Sequence, residues 1–356
     1  MAGRTIWEDT VAPEDLAALH GDAWEESPDV LVVGGGIIGL GVAAMCVRAG
    51  LGRVQVIERG RAAGGVSGSA AGGLSPGTHF TEPESFRRLA VESLDVHREL
   101  DAEWDYGLQP LDWLVVVGDG YREVAGAFGT DVLDPEAAAK LVPALARSGA
   151  LRIADQARVH PLRMAAAFAR HAGSMATGVE MLGFTDEPLR VRTTRGEVSP
   201  GALVLATGTG PGAEGLVRGH LIATEPAPFR LEAGVASPDA LILQLPEGNL
   251  VCGGTLDDSD ADEVSDDVVE RVRAELVRLL PPADALAVTH RWCCFRPAAP
   301  DELPVVDRIA ERVWVSAGHH RTGLLMSPGA GRAVAEWIST GERPSVLDGL
   351  GVGRMA

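Results

Sequence analysis

The stretch from Asp29 to Glu58 constrains the fold of this chain more than any other, because its pattern predicts a strand, a glycine turn, a helix and a second strand in that order. Val30–Val33 is short, apolar and β-branched, which is typical of a buried parallel strand. The six residues that follow read G-G-G-I-I-G and have the spacing G-x-G-x-x-G. Val54–Ile57 then supplies the second strand. The pattern predicts the first unit of a dinucleotide-binding fold.

Each glycine of this motif meets a specific requirement of dinucleotide binding. Gly34 permits the tight turn, Gly36 lets the backbone approach a pyrophosphate, and Gly39 lets the helix pack on the strand. The helix that begins at Ile37 and Ile38 presents its N-terminus to the phosphates. We therefore expect these five residues to contact a dinucleotide or to shape its site.

Glu58 lies about 20 residues after the last glycine, where a carboxylate accepts hydrogen bonds from both ribose hydroxyls of an adenosine. A lone G-x-G-x-x-G motif is equally compatible with a glycine-rich turn in any α/β protein. The strand before the motif, the helix after it and the acid at this distance favour a dinucleotide site. The motif by itself leaves FAD and NAD open.

Length, charge and cysteine content indicate the number of domains and exclude several classes of protein. A chain of 356 residues with 46% hydrophobic content predicts two domains with a large core. The net charge of −19 argues against a nucleic-acid partner, which needs a basic face. The four cysteines form no secreted-type framework, and no apolar run is long enough to cross a membrane. We expect a cytoplasmic protein without a membrane partner, and the sequence leaves its oligomeric state open.

Residues 1–28 precede the predicted dinucleotide fold. This segment is acidic and lacks the hydrophobic core of a signal peptide. It is expected to contain a short helix, Glu14–His20, and to pack outside the main domain, with Trp7 and Trp24 as anchors.

A long run of small residues, Arg59–Pro76, follows the second strand. A flexible linker is one interpretation, but a chain with few side chains can also lie against an extended cofactor and bond it through backbone amides and hydroxyls. With its Ala70-Ala71-Gly72 core, this segment resembles the D-amino acid oxidase superfamily of FAD proteins, and within it the glycine oxidase and sarcosine oxidase branch. The resemblance implies FAD rather than NAD. It adds six candidate cofactor contacts, which are Arg59, Val66, Ser67, Ala71, Gly72 and Gly73.

Two later segments are similar to the FAD domain of that family. Val179–Leu182 resembles a strand that lies beside the adenine, and Ala206-Thr207-Gly208 resembles a turn that accompanies the glycine motif. The resemblance implies that Val179 and Gly208 contact the cofactor. Val191–Thr193 and Ala202–Ala206 are expected to continue the same sheet.

The remaining elements are predicted from periodicity and end signals. Helices are expected at Pro83–Asp105, Asp134–Leu141, Leu162–Ala172 and Val268–Leu280, and strands at Leu111–Val117 and within Val217–Gly254, including a hairpin of Leu241–Leu245 with Leu250–Gly254. Leu151–Ala154 is expected to lead back toward the first domain. His160, which lies before a proline, is expected to be structural. Asp257–Asp267 lacks the pattern of a Ca²⁺ loop and is expected to be a solvated acidic face.

The segment Arg291–Pro297 carries the predicted substrate contact. It resembles a Trp-x-Gly-x-Arg-Pro pattern of the glycine oxidase branch, whose arginine holds the substrate carboxylate, and Arg296 stands at that position. A guanidinium fork fixes the orientation of a carboxylate and so aims the neighbouring Cα–H bond. Without the neighbouring motif, a surface salt bridge would be the better interpretation of Arg296.

Cys294 stands where the glycine oxidases have glycine. In monomeric sarcosine oxidases a cysteine of this general region is bonded covalently to the flavin, so Cys294 is a candidate for such a link. The alternative is that it serves as a small buried hydrophobic residue.

The segment Val313–Leu324 resembles the Ala-Gly-His…Gly loop that lies under the isoalloxazine ring. The resemblance implies cofactor contacts from Gly318, His319, Arg321, Thr322, Gly323 and Leu324. His319 and Arg321 are also candidate catalytic residues, although ordinary loop residues are the alternative. The helix that starts at Gly323 would direct its N-terminus at the pyrimidine edge of the ring, where negative charge accumulates on reduction. The sequence shows no metal-ligand cluster, nucleophile elbow or P-loop.

These observations predict an α/β (α+β) fold with a Rossmann-like FAD-binding domain and a smaller antiparallel-sheet substrate domain. The FAD-binding domain is expected to comprise residues 29–82, 150–214 and 292–345, the substrate domain residues 83–149 and 215–291, and residues 1–28 an N-terminal extension.

The resemblance implies an FAD-dependent oxidase of a small amino acid or secondary amine. Hydride would pass from the amine-bearing carbon to flavin N5, the imine would hydrolyse, and oxygen would be reduced to hydrogen peroxide. Glycine itself is a doubtful substrate, because the family's tyrosine on the substrate hairpin is replaced by Leu241 or a neighbour, and the chain has only Tyr106 and Tyr121. A dehydrogenase of a D-amino acid or 2-hydroxy acid, and a non-catalytic flavin-binding protein, are the alternatives.

Overall fold

The computed structural model describes residues 3–79, 82–116, 131–257 and 259–355. Its strands, in chain order, are β1 Val30–Val33, β2 Val54–Glu58, β3 Gly73–Leu74, β4 Gln109–Val115, β5 Asp131–Leu133, β6 Ala150–Arg158, β7 Ser174–Thr177, β8 Met181–Asp186, β9 Leu189–Thr193, β10 Gly196–Val198, β11 Ala202–Leu205, β12 Gly215–Pro226, β13 Ala233–Ala236, β14 Leu241–Gln244, β15 Asn249–Gly253, β16 Val288–Ala298, β17 Val305–Ala310 and β18 Val313–Ala317. Its α-helices are α1 Trp7–Thr10, α2 Pro13–Ala18, α3 Ile37–Arg48, α4 Glu84–Trp104, α5 Pro135–Leu141, α6 Pro161–Arg170, α7 Asp266–Leu279 and α8 Gly323–Thr340. Short 3₁₀ turns occur at Val66–Ser69, Pro76–Thr78, Pro281–Ala285, Ser345–Leu347 and Val352–Met355.

The predicted dinucleotide unit forms the centre of a six-stranded sheet. The strand order is β17-β18-β11-β1-β2-β7, and every pair is parallel except β17 with β18. β1 is buried along its whole length, as its apolar sequence predicts for a central parallel strand. The next strand in the chain, β2, lies on one side of β1, and the much later β11 lies on the other, so the strand order changes direction at β1. A crevice opens at the carboxyl ends of the strands at such a point.

Two helices cover the glycine turn and pack closely on each other. Gly41 of α3 lies against the Ser327 carbonyl of α8, and Gly331 of α8 lies against the backbone of Gly41. A Cβ atom at either glycine would collide with the partner helix, so the contact requires residues without side chains. The small residues of α3 therefore serve helix packing next to the cradle.

The second large sheet is antiparallel over most of its width. Its strand order is β16-β12-β15-β14-β13-β4-β6-β3, and β5 also pairs with β6. The predicted hairpin is confirmed as β14 and β15. The chain is thus of mixed α/β class, with a mainly parallel sheet and a mainly antiparallel sheet, as predicted.

The structure corrects two predicted sheet assignments. β8, β9 and β10 form a separate three-stranded sheet instead of continuing the parallel one, because β7 is the edge strand and Gly178, at φ +72°, turns the chain away after it. β6 pairs with β4 and β5 in the large sheet, so the chain does not lead back at Leu151–Ala154 but only after Arg158. β16 likewise pairs with β12. The division into domains made from sequence stays a prediction.

The N-terminal segment is more deeply integrated than predicted. Trp7 is only 1% exposed and belongs to the main hydrophobic core, because its ring fits against α6 and the small-residue segment. Trp24 lies partly buried beneath the guanidinium of Arg195. The expectation that residues 1–28 pack outside the main domain is therefore wrong for Trp7.

Candidate functional site

A cleft of about 1080 Å³ opens at the carboxyl ends of the parallel strands and extends across one face of the antiparallel sheet. Most of the residues singled out from sequence line it. These are Gly34, Gly36, Ile37, Ile38, Glu58, Arg59, Val66, Ser67, Ala71, Gly72, Gly73, Gly208, Cys294, Arg296, His319, Arg321, Thr322, Gly323 and Leu324.

Three predicted cofactor contacts do not line the cleft, and each instead supports a residue that does. A Cβ atom on Gly39 would collide with the Gly34 carbonyl, so this glycine lets α3 approach the turn. The Val179 N–H donates to the Glu58 carbonyl over 2.9 Å, and the Gly318 N–H donates to the Gly208 carbonyl over 2.9 Å.

The glycine cradle is stabilised by a hydroxyl from the small-residue segment. Gly34 has φ +114°, which favours glycine at this turn. Gly36 precedes α3 without a side-chain cap, and the Ile37 N–H donates to Ser67 Oγ over 2.9 Å. The start of α3 and the small-residue segment are thereby held together at the cleft wall.

Glu58 is held in place by backbone amides on both sides. Its Oε2 accepts from the Gly35 N–H over 2.7 Å, and its Oε1 accepts from the Gly60 N–H over 2.8 Å. An ionised carboxylate has about four acceptor positions, so two remain for other donors. The contact of Gly60 with Glu58 was not predicted from the sequence. The position of this glycine, two residues after Glu58, was the signal that could have indicated it.

Two indole N–H groups hold the centre of the small-residue segment. Trp7 Nε1 donates to the Ala70 carbonyl and Trp292 Nε1 donates to the Ser69 carbonyl, both over 2.9 Å. Neither contact was predicted, because the two tryptophans are remote in sequence from the segment. The fixed contacts contradict the flexible-linker interpretation of residues 59–76.

Arg296 is a buried cation above a glycine. Arg296 is 8% exposed, and its Nη1 donates a hydrogen bond to the Thr255 carbonyl over 2.9 Å. A Cβ atom on Gly219 would collide with both Nη atoms, so the guanidinium occupies the space that this glycine leaves. Within the described ranges, no carboxylate forms an ion pair with Arg296, and burial is the main cause that lowers its pKa below the ordinary value. The requirement for glycine at position 219 was not predicted from the sequence.

Arg218 provides a contrast, because it is also buried but has an acidic partner. Its Nε donates to Asp257 Oδ1 over 2.8 Å, and its Nη1 donates to the Ala261 carbonyl over 2.8 Å. His220 Nε2 accepts from the Ser265 N–H over 3.1 Å, and its Nδ1 lies 3.5 Å from Asp257 Oδ2. The prediction of a solvated acidic face is therefore wrong for Asp257. Asp258, within the same predicted loop, lies outside the described residues.

Strand register places Arg296 and Arg218 on opposite faces of the antiparallel sheet. Val217 is paired with Arg296 and Gly219 with Cys294, so these residues share the face that lines the cleft. Arg218 is the neighbour of both Val217 and Gly219, and side chains alternate along a strand. Its side chain therefore lies on the face away from the cleft.

The loop after β18 closes the cleft on the side of Arg296. His319 forms an isolated bridge with Ala298, and its Nε2 lies 3.0 Å from Ser316 Oγ. Burial lowers the pKa of His319 to about 3 and that of His320 to about 4, so both rings are neutral near pH 7. The Arg321 side chain is half exposed, and its Nη2 lies 3.7 Å from Glu302. The predicted loop residues are thus brought together beside Arg296.

The start of α8 is held by hydrogen bonds that were not predicted from the sequence. Pro328 has no N–H and leaves the Leu324 carbonyl without its helical partner. His97 Nε2 lies 3.0 Å from this carbonyl, and Ser327 Oγ donates to it over 3.0 Å. The proline inside the predicted helix was the available signal. His160, by contrast, caps α6 by accepting the Arg163 N–H, which is consistent with the structural role predicted for it.

Cys294 lines the cleft but is only 2% exposed. Burial is the main cause that raises the pKa of its thiol, which disfavours the reactive thiolate. No disulfide joins any two of the four cysteines, all of which lie in the described part of the chain. A covalent link to a cofactor stays a prediction.

The antiparallel sheet gives the cleft an apolar wall. Val115 is paired with Ala236, Ala236 with Leu241, Leu241 with Gly253 and Gly253 with Leu221, so these residues share one face. Leu221 is paired with Trp292, which lies an even number of positions from Arg296, so the wall and Arg296 share this face. Trp113 and Ile153 complete the wall.

No tyrosine of the described chain lines the cleft. Tyr106 is buried elsewhere and donates to the His97 carbonyl over 2.7 Å, while Tyr121 lies outside the described residues. The predicted replacement of a hairpin tyrosine by Leu241 is consistent with this lining. In the same described ranges, no cluster of His, Cys, Asp and Glu could hold a metal ion, and no helix is long and apolar enough to cross a bilayer.

Comparison with known proteins identifies the family to which this architecture corresponds. Residues 29–337 match the family model described as DAO, FAD-dependent oxidoreductase. Glycine oxidase of Pseudomonas aeruginosa is 28% identical, and the match covers 90% of this chain and 97% of that protein. The crystal structure of glycine oxidase from Geobacillus kaustophilus has a TM-score of 0.84 at 25% identity and covers 92% of this chain and 99% of that one. L-proline dehydrogenase from P. horikoshii shares the fold, with a TM-score of 0.84 at 21% identity and coverage of 93% and 98%.

Proposed function

Because this chain belongs to the DAO family of FAD-dependent oxidoreductases, we propose that it oxidises the carbon–nitrogen bond of an amino acid or secondary amine and passes the electrons to oxygen. The substrate binds through its carboxylate to Arg296. The observation that carries this proposal is that Arg296 is a buried guanidinium lining the cleft, with no acidic partner in the described part of the chain.

The residues of the cleft fit FAD. Gly34, Gly36 and the start of α3 would hold the pyrophosphate, and Glu58 would hold the adenosine ribose with the acceptor positions that its two amide contacts leave free. The small-residue segment and the loop from Gly318 to Leu324 would lie along the rest of the cofactor. When bound, FAD supplies the acceptor for the hydride that leaves the amine-bearing carbon.

Arg296 orients the substrate. A guanidinium binds a carboxylate through two parallel hydrogen bonds, and burial strengthens these bonds because little water competes for them. The Thr255 carbonyl and the space above Gly219 fix the guanidinium before substrate arrives. Such preorganisation favours one orientation of the Cα–H bond.

The apolar wall favours substrates larger than glycine. Trp113, Val115, Ile153 and Leu241 offer apolar surface on the same sheet face as Arg296, and glycine has no side chain that would cover it. An N-alkyl group or an apolar side chain would exclude water from this surface, at about 25 cal/mol for each Å² covered. A bulkier amino acid or a secondary amine is therefore the proposed substrate.

The proposed hydride transfer requires no general base from the protein. Hydride transfer needs a neutral amine that is correctly oriented, and the two histidines of the loop are neutral because they are buried. The buried Nδ1 of His319 has no hydrogen-bond partner within the described ranges, which suits a hydrogen bond to cofactor or substrate better than proton uptake from water. Arg321 places a second cation at the edge of the cleft.

Oxygen uptake with a panel of substrates tests the proposal. The purified protein, with its FAD content measured, is given glycine, sarcosine, larger apolar amino acids of both hands, their N-methyl forms and the matching 2-hydroxy acids. We expect oxygen uptake and peroxide with an apolar or N-alkylated amine, and weaker activity with glycine.

The same panel under anaerobic conditions distinguishes the alternatives. Loss of flavin colour without later oxygen uptake would establish a dehydrogenase, an outcome that the fold does not exclude, since an oxidase and a dehydrogenase match it equally well. A flavin that no amine or hydroxy acid reduces would indicate a non-catalytic flavin-binding protein.

A further inference from the structure

The N-terminal segment contacts the proposed FAD-binding surface from behind. Residues 29–337 match the family model, so the segment lies before the part of the chain that the model covers. Nevertheless it is tightly bonded to the core. Trp7 is 1% exposed, and its Nε1 donates to the Ala70 carbonyl over 2.9 Å. Ala70 itself lines the cleft.

Further contacts join the segment to the beginning of the small-residue run, and the end of the run is joined to the start of α6. At its beginning, the Ala62 N–H donates to the Leu19 carbonyl over 3.1 Å, and Arg61 Nη2 lies 3.3 Å from Glu8 Oε1. At its end, the Val159 N–H donates to the Gly72 carbonyl over 2.9 Å, which joins the run to the start of α6.

The start of α6 is in turn held by Thr10. Thr10 Oγ1 donates to the Ile6 carbonyl over 2.9 Å and lies 3.1 Å from His160 Nε2. Because His160 Nδ1 accepts the Arg163 N–H, the ring proton is on Nε2 and is donated to Thr10. The ring also packs edge-on against Trp7, with 5.0 Å between centroids.

The small-residue run depends on such external contacts for its order. A segment composed largely of Gly, Ala and Ser has few side chains to bury, and glycine loses more conformational freedom on ordering than other residues. If the run were disordered without cofactor, FAD would have to order it on binding. The apparent affinity would then equal the intrinsic affinity multiplied by the fraction of molecules in which the run is already ordered.

We propose that residues 3–20 are a positioning brace for FAD, in which Trp7 and Thr10 order the small-residue run before the cofactor binds. The inference rests on the proposed contact between that run and FAD. It assigns to this chain a determinant of cofactor affinity that lies outside the cleft and outside the matched family region.

Measurement of the FAD dissociation constant in Trp7→Phe tests the brace. Phenylalanine retains most of the buried ring but lacks the N–H, so the Ala70 carbonyl loses its donor. We expect the FAD dissociation constant, measured by titrating apoprotein, to rise about tenfold, as loss of one buried hydrogen bond allows. Thr10→Val should raise it by a smaller factor. In the apoproteins of both variants, the backbone amide hydrogens of residues 61–72 should exchange with solvent faster than in the wild-type apoprotein.

Trp24→Phe is the matched control. Trp24 belongs to the same N-terminal segment but packs beneath Arg195, against a different hydrophobic cluster from the one that contains Trp7 and the alanines of the small-residue run. It should leave FAD affinity unchanged. If Trp7→Phe lowers the melting temperatures of apoprotein and FAD-bound protein equally and leaves the dissociation constant unchanged, Trp7 is merely structural and the brace is refuted.

FAD binding by the Glu58→Gln variant shows whether a negative result refutes only the brace or also the proposed FAD-binding site. If Glu58→Gln weakens FAD binding while Trp7→Phe does not, the proposed cofactor site stands and only the brace fails. If neither variant changes FAD affinity, the proposed position of FAD is wrong as well.

Discussion

Arg218 and Arg296 are both buried and lie on adjacent strands, but they differ in their partners and in the face of the sheet from which they project. Arg218 on β12 points away from the cleft and is paired with Asp257, whereas Arg296 on β16 faces the cleft and contacts only the Thr255 carbonyl among its described hydrogen-bond partners. A buried charge is costly unless it is compensated. The compensation of Arg218 is internal and stabilises the loop after β15. Among the residues that the structure describes, no acidic side chain forms an ion pair with Arg296, so a carboxylate ligand can provide the counter-ion.

The largest expected effect follows removal of the uncompensated arginine. Arg296→Met should lower kcat/KM for a carboxylate-bearing amine by about a thousandfold, because a buried charge pair with substrate is worth about 2–5 kcal/mol. FAD content should stay at the wild-type level, which extraction and absorbance would establish. Steady-state kinetics near the wild-type value would contradict the role of Arg296.

Removal of the compensated arginine should instead affect stability. Arg218→Met leaves Asp257 as an unpaired, half-buried charge, and breaking a buried pair in this way costs about 3 kcal/mol. Urea unfolding of the FAD-bound protein would measure the loss. The double variant Arg218→Met with Asp257→Asn should recover most of it; a double variant as unstable as the single one would show that the ion pair is not the cause.

A smaller effect is expected when the space above Gly219 is filled. Gly219→Ala places a methyl group where the Arg296 guanidinium lies, so the guanidinium must move. Overpacking of this kind costs about 1–3 kcal/mol, and we expect KM to rise about tenfold or more with little change in FAD content. Gly353→Ala would report the general effect of an added methyl group, because Gly353, like Gly219, does not have positive φ, and nothing lies within 4 Å of a Cβ atom built on it. Equal kinetics for Gly219→Ala and wild type would show that Arg296 is not confined.

A further expected effect is the pH dependence of stability that arises from His320, in the loop beside Arg296. Burial lowers the pKa of His320 to about 4 from an ordinary value of 6.5, so the unfolded chain binds more protons than the folded one between these values. Stability should therefore fall as pH drops from 6.5 toward 4, by at most about 1.4 kcal/mol per pH unit for this ring.

His320→Asn should flatten the stability profile in that interval, as measured by chemical unfolding at several pH values. His220→Asn, on the Arg218 side, would serve for comparison, because burial also lowers the pKa of His220. An unchanged slope in His320→Asn would mean that His320 does not titrate with unfolding.

Local patterns predicted the glycine cradle, and the resemblance predicted that Arg296 lies in the cleft. G-x-G-x-x-G depends on contacts within about 30 residues, so the sequence contains its whole explanation. Gly219, Trp7 and His97 act through partners that are distant along the chain, and no local signal specifies those partners. The separate sheet of β8 to β10 was missed for the same reason, because strand patterns indicate strands but not which sheet they join.

The strand order of the parallel sheet has a consequence for how this protein is made. β1 and β2 lie early in the chain, yet β11 and β18 of the same sheet follow much later, and α3 packs against α8 near the C-terminal end. During synthesis the complete glycine motif emerges long before the elements that cover it. Contacts of such high sequence separation form slowly. We expect nascent chains that end before residue 313 to expose the apolar faces of β1 and α3 and to depend on chaperones until the last helix has docked.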